Sequence, residues 1–338
     1  MMLKRTQQSG FTLLELMISA GLGIFLIAGL ATLFVQSNRS YRQNDIVTAM
    51  QDQARFSLQV LSRDLMSAGY WGGISDPSAI TTGASTTALT AANDCGPDSA
   101  TSWAFAPDKR IEFLNNASAS NLSAAHHCVD TSTFVAGTDV VALRRVATQA
   151  TNSMGAADTS TILRPNNFYL QSNSVAGSLI RVGSLAAWTP APPDLPLSPP
   201  MSFYKFIPRI YYVRDWAFAA GDGVPMLCRM ELRHTASPQM EAECLAVGVQ
   251  DVQLTWGLDT DSDEIVDRYK TAPTAAELDS ALSVRVQVLM RSRDPDTSYI
   301  NEKSYSLGDA THSYTSANQD HFLRRVYSTT ILLRNRYW

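Results

Sequence analysis

Residues 11–35 read FTLLELMISAGLGIFLIAGLATLFV, an apolar run of 25 residues whose single charged side chain is Glu15. At a rise of about 1.5 Å per residue, a helix of this length extends roughly 37 Å, enough to cross a bilayer with some tilt. Lys4 and Arg5 precede the run, and residues 1–10 contain no acid. The positive-inside rule then predicts a cytoplasmic N-terminus and a single membrane span.

Glu15 is the feature of this span that an ordinary targeting signal does not explain. A cleaved secretory signal has a shorter apolar core followed by small residues, whereas this run is long and continues into Gln36-Ser37-Asn38-Arg39. A simple signal anchor would account for the apolar residues but not for the carboxylate. Because a charge within a span is costly, it usually marks a function.

The stretch Gly10-Phe11-Thr12-Leu13-Leu14-Glu15 resembles the class III signal of type IV prepilins. The resemblance implies that a prepilin peptidase cuts between Gly10 and Phe11, N-methylates Phe11 and leaves the span in the membrane. Glu15 then corresponds to the acidic residue at the fifth position of the mature chain. Its carboxylate would neutralise the α-amino group of a neighbouring subunit and set the register between apolar helices. The alternative is a signal anchor with these six residues by chance.

The helical pattern continues beyond the span as an amphipathic segment. Apolar residues recur there every three or four positions, at Val47, Met50, Ala54, Leu58, Leu61 and Leu65. The pattern predicts one helix from about residue 11 to about residue 68, ended by Gly69 and the Gly72-Gly73 pair. We expect its first half to lie in a membrane or filament and its second half to pack on the chain's own globular domain.

A second resemblance points to a particular group within the type IV prepilins. The helix end, from Ala54-Arg55-Phe56 through Arg63-Asp64-Leu65 to Ala68-Gly69-Tyr70-Trp71-Gly72, is similar to that of minor pilins of the PilW type. Residues 139–145, 249–261 and 324–336 resemble later strands and an acidic loop of that family, whereas residues 75–135 resemble nothing in it. The resemblance implies an inner-membrane priming complex with other minor pilins and the major pilin, which starts pilus assembly on the inner-membrane platform. The complex would remain at the pilus tip beneath an adhesin.

Residues 71–338 are predicted to form a β-rich periplasmic domain. Alternating apolar residues, as at Val284, Val286 and Val288, indicate half-buried strands. Strands are expected around 139–147, 161–170, 203–214, 226–233, 252–256, 284–290 and 322–334. Residues 75–133 are typical of loops or an insertion, and the six prolines of 190–200 indicate an extended connector. The predicted fold class is α+β, with the long helix packed on a mostly antiparallel sheet.

Four cysteines without a CxxC pair indicate structural disulfides in an oxidising compartment rather than a zinc ribbon. Cys228 and Cys244 flank a predicted hairpin, which favours pairing them and leaves Cys95 for Cys128. Four cysteines allow three connectivities, and buried reduced cysteines are the further alternative.

An acidic loop places carboxylates at positions one, three, five and nine, as in an EF-hand: Asp259, Asp261, Asp263 and Asp267. Glu264 stands at position six, where the turn requires glycine, and Lys270 stands at position twelve, where a bidentate glutamate belongs. The loop is therefore either a calcium site or a solvated acidic turn.

Other function classes have little support in the sequence. The net charge is −4, so there is no overall basic footprint for nucleic acid. The basic and aromatic C-terminal residues indicate an exposed strand face rather than a single-strand binding surface: Arg324, Arg325, Tyr327, Arg334, Arg336, Tyr337 and Trp338. Because GxSxG, HExxH and P-loop motifs are absent, we do not expect an enzyme. The remaining rivals are a type II secretion pseudopilin and a tip-located binding module for DNA or surfaces.

Overall fold

The computed structural model describes residues 10, 12–82, 89–97, 103–153, 163–182, 201–315 and 319–335. The chain divides into two compact units, Met1–Ala49 and Met50–Trp338. The long predicted helix is confirmed as α1 (Leu13–Ser67), of 55 residues. In the second unit α1 buries a face at Met50, Ala54, Ser57, Leu61, Asp64 and Leu65. This face follows the predicted apolar stripe but also includes a carboxylate.

Two further α-helices, two short 3-10 helices and fifteen strands follow α1 in the described residues. The α-helices are α2 (Ala119–Ala125) and α3 (Ala275–Asp279). The strands are β1 (Ile80–Thr82), β2 (Ile111–Leu114), β3 (Val140–Val146), β4 (Asn152–Ser153), β5 (Phe168–Ser172), β6 (Gly177–Arg181), β7 (Ser202–Arg214), β8 (Met226–Arg233), β9 (Gln239–Val247), β10 (Val249–Leu258), β11 (Arg268–Lys270), β12 (Ala281–Arg291), β13 (Ser304–Leu307), β14 (Ala310–Ser313) and β15 (Arg324–Leu332). The predicted α+β fold class is confirmed.

Strand β7 is the centre of a nine-stranded sheet. The first part of β7 pairs with β4 and β5, and its later part pairs with β3 on one side and β8 on the other. The sheet runs β1-β6-β5-β7-β3-β2, and β9 extends it beyond β8. Among the named strands only β1 and β6 pair in parallel, so the mostly antiparallel arrangement is confirmed.

A second, four-stranded sheet has the order β11-β10-β12-β15, and β13 and β14 form a separate hairpin. Gly248 is the single residue between β9 and β10, and therefore carries the chain from one sheet to the other. Its φ is +84°, and a Cβ added to it would stand 2.5 Å from the Arg291 carbonyl oxygen. Both facts explain why a glycine stands there.

The Ala-Gly-Tyr-Trp-Gly run ends α1 and enters the core of the large sheet. Gly69 adopts a φ of +74°, and its N–H donates to the carbonyl oxygen of Arg144 at 2.9 Å. Trp71 is buried and stacks on Phe206, with 6.0 Å between ring centroids. Gly72 has a φ of +61° and lies so close to the Tyr204 ring that a Cβ would stand 2.6 Å from it. The run thus allows a tight turn directly against β7.

Residues 75–133, predicted to be loops or an insertion, contain regular elements in their described part. This segment contributes β1, β2 and α2, and β2 pairs with β3 inside the large sheet. Trp103, Phe105 and Leu122 from it are buried in the core. Because Trp103 and Phe105 belong to a single short 3-10 turn, they are too few to leave a periodic signal.

The strand predicted at 161–170 begins instead at Phe168. Asn166 has a φ of +63°, a left-handed conformation that interrupts an extended chain before β5. The other strand predictions agree with β3, β7, β8, β10, β12 and β15 to within a few residues. The leader residues 1–9 and the proline-rich connector at 190–200 lie outside the described residues.

Both predicted disulfides are present in the structure. Cys228 and Cys244 face each other across β8 and β9, and Cys95 joins Cys128 just after α2. Their sequence separations are 16 and 33 residues. In the chain-entropy account, closing loops of this length stabilises the fold by about 3 kcal/mol each or slightly more.

Candidate functional site

The predicted processing signal is described in part. Gly10 is exposed, whereas residues 1–9 and Phe11 lie outside the described residues. Cleavage between Gly10 and Phe11, and methylation of Phe11, therefore stay predictions.

Glu15 lies in the first turn of α1 and closes its N-terminus. One carboxylate oxygen accepts hydrogen bonds from the Thr12 backbone N–H at 3.0 Å and from the Thr12 hydroxyl at 2.9 Å. The Thr12 hydroxyl oxygen in turn accepts from the Glu15 N–H at 3.3 Å. These reciprocal bonds form a capping box, which satisfies donors that the first helical turn leaves unpaired. Glu15 remains exposed, so the carboxylate is accessible to a group from another molecule.

The apolar half of α1 is long and apolar enough to cross a membrane, and none of its most apolar 18-residue window is buried within the chain. Leu13, Phe25 and Phe34 are 77%, 77% and 70% exposed. An apolar surface of this extent requires lipid or partner helices around it. This segment and Glu15 together form the candidate assembly segment.

Asp64 anchors the other half of α1 to the large sheet. Its side chain is 1% exposed and pairs with Arg145 on β3 at 2.7 Å and with Arg209 on β7 at 2.9 Å. The Tyr211 hydroxyl, also on β7, donates to the second carboxylate oxygen of Asp64. Because Arg209 and Tyr211 are alternate residues of one strand, both point to the same face of the sheet. One carboxylate thus joins the helix to two neighbouring strands.

The ionic contacts continue across the sheet from Asp64. Arg209 also pairs with Glu231 on β8 at 2.6 Å, and Arg229 bridges Glu231 and Glu243 at 2.8 and 2.9 Å. Burial opposes ionisation of Glu231, but the charge and hydrogen bond of Arg209 lower its pKa to about 2. These side chains form a continuous chain of opposite charges over β7, β8 and β9.

The sequence contains a signal for this anchor that hydrophobic periodicity alone does not detect. Asp64 lies three residues after Leu61 and directly before Leu65, on the helix face that becomes buried. A carboxylate on an apolar stripe requires a cationic partner, since an unpaired buried charge is very costly. Arg145 and Arg209 lie within predicted strands, but both are far from Asp64 along the chain. The sequence pattern therefore does not predict that they pair with it.

The acidic loop brings three of the four predicted ligands together. One ligand oxygen from each of Asp259, Asp261 and Asp267 lies within 4.8 Å of the others, and Asp263 is not part of this group. Glu264 adopts a φ of +68°, so the backbone takes the left-handed turn there without a glycine. Partial desolvation and the nearby carboxylates of Asp263 and Asp267 raise the pKa of Asp261.

Hydrogen bonds within the loop use part of the same carboxylates. Asp259 accepts from the backbone N–H groups of Ser262 at 2.6 Å and Glu264 at 3.0 Å. Asp267 accepts from the Thr260 N–H at 2.6 Å. Lys270, at the twelfth position, donates to Glu277 at 2.7 Å. These bonds close the turn and leave calcium binding as a prediction.

Calcium binding to this loop is expected to be weak and to depend on Asp261. A divalent cation would relieve the repulsion between the clustered carboxylates, with a Kd of about 0.1–1 mM, as for extracellular modules. Calorimetric titration of the full chain should show heat that Asp261→Asn removes and that Asp263→Asn, outside the group, reduces less. Absence of heat at millimolar calcium would exclude the site and leave a solvated acidic turn.

Among the basic and aromatic C-terminal residues, Arg324 is occupied by contacts within the chain. The Arg324 side chain pairs with Asp320 at 2.6 Å and lies 3.8 Å from the centroid of the Tyr314 ring, so it is not free to bind a nucleic-acid phosphate. Arg336, Tyr337 and Trp338 lie outside the described residues.

Comparison with known families relates the second half of the chain to the type IV pilus. Residues 210–335 match the model of a family described as type IV pilus-assembly protein W. The matched segment runs from the later part of β7 to the residues after β15. The match supports the assignment of this chain as a type IV pilus-related protein. No curated protein and no solved structure matches the chain.

Proposed function

We propose that this chain is a minor pilin of a type IV pilus. After cleavage at Gly10 and methylation of Phe11 by the prepilin peptidase, it is held in the inner membrane by one span, with its β-rich domain in the periplasm. There it joins other minor pilins in a priming complex on the assembly platform and initiates assembly of the major pilin. It then remains at the pilus tip, beneath an adhesin. The proposal assigns no catalytic step to the chain.

One combination of features supports the proposal. The chain has an exposed apolar helix with Glu15 in its first turn, and residues 210–335 match a pilus-assembly family. A helix of this kind is stable in lipid and equally in a bundle of similar helices, so the same segment serves as anchor and as filament core. In such a bundle, an uncompensated Glu15 would favour the arrangement that brings a neighbour's α-amino group to it.

A large minor pseudopilin of the type II secretion system is the second candidate, because the proposed processing signal and helix would serve it equally well. The family match at 210–335 favours the pilus. The two candidates differ in which surface process fails when the protein is missing.

Deletion of the coding sequence is expected to abolish surface pili and twitching motility and to leave type II secretion intact. A plasmid copy of the full chain should restore both properties. Pili are counted on sheared cells, and secretion is followed by the activity of an exported enzyme. Loss of secretion with normal twitching would replace the pilin assignment with the pseudopilin.

A further inference from the structure

Strand β15 leaves one long edge of the four-stranded sheet open. It pairs with β12 over nine residues without a register shift and has no second strand neighbour among the described residues. The pairing also sets which backbone groups face outward. Leu333 donates its N–H to Leu282 and Ser292 donates its N–H to Leu323, so the odd-numbered residues of β15 bond to β12. Because bonded and non-bonded pairs alternate in an antiparallel ladder, the even-numbered residues point their N–H and C=O groups away from β12.

Four consecutive even-numbered residues therefore present unpaired backbone groups: Val326, Ser328, Thr330 and Leu332. In the described part of the chain no backbone or side-chain hydrogen bond reaches these N–H and C=O groups. Ser328 and Thr330 are exposed, and Leu332 is 67% exposed. A row of unpaired groups on an exposed strand is a template for a further strand.

The edge lacks the features by which proteins usually prevent such pairing. Residues 326–333 read VYSTTILL, with no charge, proline or glycine and with several β-branched side chains. The edge strand β9 of the large sheet differs, because it carries Glu241 and Glu243 and its Met240 N–H donates to the Ala92 carbonyl oxygen at 3.1 Å. The β15 edge therefore lacks the protection against pairing with a further strand that the β9 edge has.

Charges at the two ends of the edge favour an acidic partner. Arg325 and Arg334 are exposed and flank the neutral stretch. Neither has an ion-pair partner among the described residues, whereas the neighbouring Arg324 is paired with Asp320. A strand with an uncharged, β-branched middle and carboxylates at its ends would satisfy both the backbone groups and the arginines.

We propose that the outer edge of β15, residues 326–332, receives an extended strand of a partner protein with a neutral middle and acidic ends. The added strand would bond to the backbone of the four even-numbered residues, as in β-strand addition. This surface contains neither Glu15 nor any residue of the apolar segment, so the inference goes beyond the pilin assignment and does not depend on it.

A defined peptide tests the inference on the full-length chain in mild detergent. The probe is a labelled heptapeptide, Glu-Thr-Val-Thr-Val-Thr-Glu, with blocked ends, and its matched control has lysine at both ends. Fluorescence anisotropy should show binding of the acidic peptide and at least tenfold weaker binding of the basic one. Arg325→Glu leaves one arginine and one glutamate at the ends of the edge and should remove this preference. Equal binding of both peptides, or no binding at millimolar peptide, would overturn the proposal.

Two substitutions at one position distinguish the contribution of the backbone N–H to peptide binding from that of the side chain. Ser328→Pro removes an outward N–H without removing a bond to β12, so the fold should persist while the affinity for the acidic peptide falls at least tenfold. Ser328→Ala keeps the N–H and should bind as the unchanged chain does. Thr330→Pro serves the same purpose if Ser328→Pro does not fold. Unchanged affinity in a folded proline variant would overturn the proposal. The proposal would also be overturned if the chain dimerises and Ser328→Pro abolishes the dimer, because the strand that pairs with β15 would then come from a second copy.

Discussion

Replacing Asp64 with alanine is expected to lower the free energy of unfolding by about 3–5 kcal/mol, because it leaves buried cationic groups without their partner. Arg145 and Arg209 have side chains only 6% and 13% exposed. Arg145 loses its ion-pair partner, and Arg209 keeps only its contact with Glu231. The Tyr211 hydroxyl loses its acceptor as well. Thermal or urea unfolding of the full chain in mild detergent measures the change, which corresponds to a fall in melting temperature on the order of 10 °C.

The matched control for this prediction is Asp52→Ala, the same substitution at an exposed position of α1. It should alter the free energy of unfolding by less than about 0.5 kcal/mol, as surface substitutions usually do. Similar effects of the two substitutions would mean that Asp64 does not anchor the helix to the sheet.

The anchor also has a predictable pH dependence. Burial alone would raise the pKa of Asp64, but the charges of Arg209 and Arg145 and the Tyr211 hydroxyl outweigh it, and the pKa is lowered. The unfolded chain therefore binds this proton at a higher pH than the folded chain, so the stabilisation is fully present above a pH of about 4. It is lost as the pH falls through the lower folded-state pKa. The difference in stability between the unchanged chain and Asp64→Asn should accordingly shrink in strong acid.

Replacing Glu15 with alanine is expected to reduce pilus number at least tenfold while leaving cleavage after Gly10 intact. In the proposed mechanism the carboxylate neutralises a neighbour's α-amino group within the apolar helix bundle, and without it that amine stays desolvated and unpaired. Pili are counted by electron microscopy, and the mature N-terminus is determined by mass spectrometry.

The substitution Glu15→Gln distinguishes the role of the negative charge from the role of the side chain in capping the helix. The amide oxygen still accepts hydrogen bonds from Thr12, as the carboxylate does at 2.9–3.0 Å in the structure. If the charge directs assembly, the Glu15→Gln variant should be as defective as the Glu15→Ala variant, whereas a role limited to capping would leave Glu15→Gln assembling normally. Normal pilus numbers in Glu15→Ala would contradict the assembly role altogether.

Local chemistry explains which features the sequence could predict. The apolar half of α1, its amphipathic half and the cross-strand pair Cys228–Cys244 depend on residues close together in the chain, and the structure contains all three. The strands with alternating apolar residues, such as β12, were predicted for the same reason. The acidic loop was also found by spacing, although the structure leaves Asp263 outside the group of three carboxylates.

Contacts between distant segments account for the features that the sequence did not reveal. Asp64 meets Arg145 and Arg209 across 81 and 145 residues of chain. Trp103 and Phe105 enter the core from a segment without periodicity, and their burial depends on strands that come much later. No short-range pattern predicts such contacts, because it contains no information about which segments become neighbours.

By itself, the sequence determined the long helix with its apolar half and the β-rich character of the remainder, because hydrophobic period and local residue types specify these over a few turns or strands. Only the tertiary structure decided the partners of Asp64, the place of residues 103–125 in the core and the open edge of β15. Each of these depends on the order of strands in the sheets. That order results from packing the whole domain, whereas the helix and its apolar half follow from the chain's local chemistry.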